Sequence, residues 1–149
     1  MIAAIDCDLR QSYCVFEDGR AGRGATPFIA LAECDLDGPA PTTVLFEIAS
    51  PVSFNRGAAG HAAMTQLAKW AIWNAACAQH MHLFMCRPGR RVLVSPSNVW
   101  TKGYDLKTRH AMAKAKLAKK DLRECEAMIF MYKHDPDAWK PLPEYLATL

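Results

Sequence analysis

Two acidic residues stand where acids are costly. Asp6 follows Ile2-Ala3-Ala4-Ile5, and Glu47 sits inside Val44-Leu45-Phe46-Glu47-Ile48. Both stretches otherwise read as buried strands, where an ionised carboxylate is destabilising unless it is paired or binds a cation. A third acidic group, Asp121, Glu124 and Glu126, opens a segment that continues Ala127-Met128-Ile129-Phe130. Acids from separate elements that meet at one sheet edge can bind hard cations. Magnesium takes one or two carboxylates with waters and phosphate oxygens, and two such ions about 3.5–4 Å apart catalyse phosphodiester hydrolysis. The plainer reading makes Asp6 and Glu47 strand-end residues facing water, and the three later acids ordinary partners of a helix N-terminus.

The elements that must position these acids follow from periodicity. Residues 1–7 and Ser12–Phe16 read as strands joined by Asp8-Leu9-Arg10-Gln11. Glu17–Gly24, with three glycines, reads as a flexible loop, and Pro27–Cys34 as a third strand. Asp35–Pro41 reads as a turn and Thr42–Ala49 as a fourth strand, apolar enough to be covered on both faces. Residues 61–86 lack Gly and Pro and carry apolar residues at helical spacing, up to Pro88-Gly89. Arg91–Ser95 reads as a fifth strand, Leu106–Leu117 as a basic helix, and a last helix runs from about Asp121 to His134. Short connections allow an antiparallel meander of the first three strands. The later crossovers point to an α/β sheet with helices packed on it. With 149 residues, 51% of them hydrophobic, residues 1–149 fit one domain.

Charge is unevenly spread. Residues 1–47 hold eight acids and three bases, residues 48–120 hold twelve Lys and Arg against the single acid Asp105, and residues 121–149 hold six acids and three bases. A long tract nearly free of carboxylates suits a polyanion-binding surface, since phosphate contacts release counterions. The alternative is a solvated basic face.

Four blocks in order resemble the RuvC Holliday-junction resolvases of the RNase H-like superfamily. Ile5-Asp6-Cys7-Asp8 through Phe16 is similar to the family's first two strands and its catalytic Asp. Phe46-Glu47-Ile48 resembles the strand of the catalytic Glu. Asn98–Lys107 is similar to the strand, Gly-containing loop and lysine ahead of a basic helix, and Asp121–Met128 to the acidic start of the final helix. The resemblance implies an RNase H-like mixed five-stranded sheet flanked by helices. It implies a homodimeric, magnesium-dependent endonuclease, with manganese able to substitute, that cuts branched DNA and needs no small-molecule cofactor. Asp6, Glu47 and Glu126 would bind metal and catalyse, Glu124 and Asp121 being candidates for the fourth ligand. Lys107 would contact phosphate, with Lys102, Arg109, Lys114 and Lys116 extending the track. The chain departs from the family in three ways. Asp8 stands where a Gly is usual, no helix is expected between the third strand and the Glu-bearing strand, and the last acids are irregularly spaced. A short, phage-encoded form fits these departures best. A non-catalytic DNA-binding protein of the same fold, or an RNase H-like nuclease acting on another substrate, is the alternative.

Other signals compete. Cys77, His80, His82 and Cys86 could bind zinc, although His82 points away from Cys77 on a continuous helix. Trp70, Trp73 and Trp100 could stack bases or fill a core. The six cysteines form no CxxC and read as small core residues. No apolar run approaches the roughly 20 residues a membrane span needs, and the first residues lack a basic leader. These features lead to the expectation of a cytoplasmic protein, in the host cytoplasm if phage-encoded.

Overall fold

The computed structural model describes residues 1–7, 11–35, 38–48, 73–74, 76–82, 89–100 and 122–148. Its centre is a mixed six-stranded sheet of order β3-β2-β1-β4-β5-β6 flanked by helices. The strands are β1 (Ile2–Asp6), β2 (Ser12–Phe16), β3 (Ala21–Gly24), β4 (Thr43–Ile48), β5 (Arg91–Pro96) and β6 (Lys140–Pro141). β1, β2 and β3 form the antiparallel meander, and β4 and β5 add to β1 in parallel. The three parallel strands therefore end at one edge.

The helices are α1 (Pro27–Asp35), α2 (helical residues 76–82), α3 (Ser97–Trp100), α4 (Leu122–His134) and α5 (Leu142–Leu146). Among the described residues, no helix is long and apolar enough to cross a membrane.

Side-chain alternation divides the core into two layers. Ala3, Ile5, Phe16, Val44, Phe46, Val92 and Val94 face one way, against Ala30, Leu31, Cys34, Ala78, Met81 and Leu142. Ala4, Val15, Leu45 and Leu93 face the other way, against Cys125, Met128, Ile129 and Met131 of α4 with Trp100 and Trp139.

Three expectations need correction. Pro27–Cys34 is helical, not a strand, and the third strand is Ala21–Gly24, inside the segment expected as a loop. The glycines are the reason. A Cβ at Gly22 would lie 2.6 Å from the Ala30 carbonyl oxygen and 2.7 Å from Glu33 Cβ, so bare backbone lets α1 settle directly on β3. α1 also puts a helix between the third strand and β4, where none was expected. The sheet has six strands rather than five, because Lys140 and Pro141 pair with Val94 and Leu93. The expected links and helices at 8–10, 61–72, 83–86 and 106–117 lie outside the described residues.

Candidate active site

The parallel register of β1 and β4 pairs Ala4 with Leu45 and Ile5 with Phe46, so the next pair is Asp6 and Glu47. Neighbouring strands run about 4.8 Å apart. Asp6 shares the face of Ala4, and Glu47 that of Leu45, so both carboxylates rise from the layer covered by α4. Asp6 is 2% exposed and Glu47 is half-buried.

The same row continues on both sides. Tyr13 pairs with Asp6 across β2, and Ser95 pairs with Glu47 across β5. Ser95 is fully buried. Arg23 pairs with Tyr13 on the edge strand. Gly22 and Gly24 lie under α1, so alternation turns the exposed Arg23 side chain to the opposite face, that of the carboxylates. The row Arg23–Tyr13–Asp6–Glu47–Ser95 thus crosses five strands. It lies where the parallel strands end, the usual place for a ligand in an α/β sheet.

α4 brings the third acid. Its first turn lies against Asp6, where Cys125 Sγ donates to the Tyr13 carbonyl oxygen at 3.5 Å and is within reach of the Asp6 backbone amide. Burial pushes the Cys125 thiol well above its usual value, and the charges of Asp6, Glu124 and Glu47 push it further. One thiol therefore senses all three carboxylates. At its far end, α4 is tied down by the Tyr132 hydroxyl, which the Arg91 guanidinium meets. Arg91 Nε also donates to Thr43 Oγ1 at 3.3 Å, and Lys133 pairs with Glu17 at 3.2 Å. The helix cannot slide along the sheet without breaking these contacts.

The final-helix acids now separate. Glu124 is half-buried beside Cys125, whereas Glu126 is exposed, on the outward stripe with Phe130 and Lys133. Asp121, Lys102, Lys107, Arg109, Lys114 and Lys116 lie outside the described residues. Glu47 has a partner that its sequence surroundings did not announce, since Trp100 Nε1 donates to Glu47 Oε2 at 2.9 Å. Ser95 and Arg23 were also missed. Ser95 ends the apolar run Val92-Leu93-Val94, which is a readable signal; Arg23 lay in the supposed loop.

Among the described residues, Cys77, His80 and His82 of the alternative zinc cluster form no metal-binding group. The Cys77 thiol accepts a hydrogen bond from Cys7, which this contact first and burial second hold in the protonated form. His80 is exposed against Phe28, and Cys86 lies outside the described residues. Cys7, Cys14, Cys34 and Cys125 are buried and form no disulfide among the described residues, as small core residues should. Trp100 is buried against Trp139 instead of offering a base-stacking surface; Trp70 lies outside the described residues.

Asp6, Glu47 and Glu124 offer only hard oxygen donors, the kind that magnesium takes. Among the described residues, no three His, Cys, Asp or Glu already stand together closely enough to enclose an ion. The chain matches no protein-family model, no curated protein and no solved structure.

Proposed function

We propose that the chain is a magnesium-dependent endodeoxyribonuclease of the RuvC type, with an RNase H-like fold, that resolves Holliday junctions or other branched DNA. One observation carries this reading: Asp6 and Glu47 stand side by side on one face of the sheet, beneath the helix that bears Glu124. Helix α1 adds support, because it removes one of the departures from the family. Asp6, Glu47 and Glu124 would hold the ions, with Asp121 a further candidate and Glu126 disfavoured by its outward position. Bound magnesium supplies an acidified water and stabilises charge on the phosphoryl oxygens.

The chain's own residues do the rest. The sheet edge fixes the spacing of Asp6 and Glu47, and the anchored α4 holds Glu124 over them. Lys107 and the basic tract around it would bind phosphates, as would Arg23 on strand β3. In-line attack by water would leave 5′-phosphate and 3′-hydroxyl ends, as the resemblance implies. A junction presents two symmetric strands, so a homodimer with two such sites would cut both.

The test is cleavage of a four-way junction and a linear duplex of matched sequence, with magnesium or with EDTA. Junction cutting should require magnesium. Asp6→Asn should abolish it while leaving junction binding intact, because loss of a negative charge does not weaken phosphate affinity. A mutant that cuts at the wild-type rate refutes the mechanism. Preferential cutting of RNA–DNA hybrids or flaps in competition would keep the metal site and replace the substrate.

A further inference from the structure

Strand β5 delivers Ser95 beside Glu47, and four residues of α3 then return the chain so that Trp100 reaches the Glu47 side chain. Trp100 is 2% exposed, within the same core layer as Leu45, Leu93 and Met128. Packing alone would be satisfied by any large apolar ring. Only an indole adds a directed N–H, and here it meets a carboxylate oxygen at 2.9 Å. Hydrogen bonds to ionised acceptors are about twice as strong as neutral ones.

We infer that Trp100 is a positioning residue for Glu47, its indole N–H setting which way the carboxylate presents its oxygens to a divalent cation. The inference rests on the nuclease reading, because it treats Glu47 as a metal ligand. An N–H occupies one lone pair of one oxygen, so the same carboxylate can hold an ion at the same time. Partners of this kind are worth roughly 10–100-fold in metal affinity.

Trp139 completes the support. Its ring stacks on Trp100 with centroids 6.4 Å apart and planes at 26°. Yet the two indoles differ: Trp139 Nε1 is buried with no hydrogen-bond partner among the described residues. Trp139 holds the ring, and Trp100 alone of the pair holds the acid. Trp100 also directly precedes residues 101–120, which carry seven Lys and Arg. The residue that meets the Glu47 carboxylate is therefore also the one after which this basic stretch of sequence begins.

The experiment titrates manganese into the whole protein, followed by calorimetry and tryptophan fluorescence, for wild type, Trp100→Phe and Trp139→Phe. Thermal melting and circular dichroism check the fold. Trp100→Phe should bind manganese 10–100-fold more weakly, and Trp139→Phe within about threefold of wild type, since it keeps the N–H to Glu47. A role in packing alone would lower the melting temperature without separating the two affinities. Unchanged manganese affinity in a folded Trp100→Phe overturns the inference and leaves the nuclease reading standing. Failure of wild type to bind manganese removes both.

A second measurement needs no change at Trp100. Magnesium should move the Trp100 indole N–H resonance of the wild-type protein but not of Glu47→Gln. If saturating magnesium leaves that resonance in place in the wild type, Trp100 does not position Glu47.

Discussion

Cys125 donates its thiol to the carbonyl oxygen of Tyr13, and Tyr13 is the residue that faces Asp6 across the hairpin. Helix α4 is thereby docked to the backbone beside the candidate catalytic aspartate. The position of every acid on that helix follows from this contact.

Glu124 and Glu126 should respond differently. Glu124→Gln should cut a four-way junction at least about a hundredfold more slowly, in line with the loss of a group acting on the reacting centre. Glu126→Gln, changed on the outward stripe, should stay within a few-fold of wild type. Single-turnover rates at saturating magnesium measure both. The reverse ranking would put the helix in a different rotational phase.

Arg23 lies on the carboxylate face, on the edge strand β3. Arg23→Ala should weaken junction binding without altering the melting temperature. It should also reduce the slope of log affinity against log salt by about one. Gel-shift titrations at several salt concentrations provide the measurement. An unchanged slope would remove Arg23 from the DNA path.

Gly22 permits the contact of α1 with β3. Gly22→Val should destabilise the protein by about 1–3 kcal/mol, typical of forcing atoms into a packed interface. Urea unfolding should show a lower midpoint with an unchanged m-value. Since Gly22 points away from the carboxylates, the folded fraction should keep its cleavage activity.

The Cys125 thiol should make stability fall at alkaline pH. Its value in the folded chain is raised from the ordinary 9.0 by burial first and then by the nearby carboxylates. The unfolded chain releases this proton first, so the contribution is complete below pH 9.0 and is lost as pH rises toward the folded value. The slope for one such group is about 1.4 kcal/mol per pH unit. Denaturant midpoints between pH 8 and 10 should fall less steeply in Cys125→Ala. Equal slopes would mean that this thiol does not titrate differentially.

Asp6 and Glu47 were legible because a charge inside an apolar run needs an explanation. The strand register then placed them together on one face. Ser95 carries the same positional signal, but a buried hydroxyl is far less costly than a buried carboxylate and drew no notice. The segment Phe28-Ile29-Ala30-Leu31 misled because a short apolar run fits strand and helix alike. Its identity is decided by Gly22 and Gly24, which spaced by two leave one face of a strand bare. β6 is two residues long, too short for any period to show. Glu124 and Glu126 are both good helix-start residues, and only the docking of Cys125 and Met128 fixes which of them turns inward. The Trp100–Glu47 contact spans 53 positions, and no local pattern encodes it.

The two margins of the sheet share a property with consequences for assembly. On β3, the Arg23 amide is already taken by Glu33 Oε2 at 2.8 Å. On β6, Pro141 brings no amide hydrogen at all. Each border thus offers one amide fewer to a strand from another molecule. Strand-to-strand polymerisation is disfavoured from both sides.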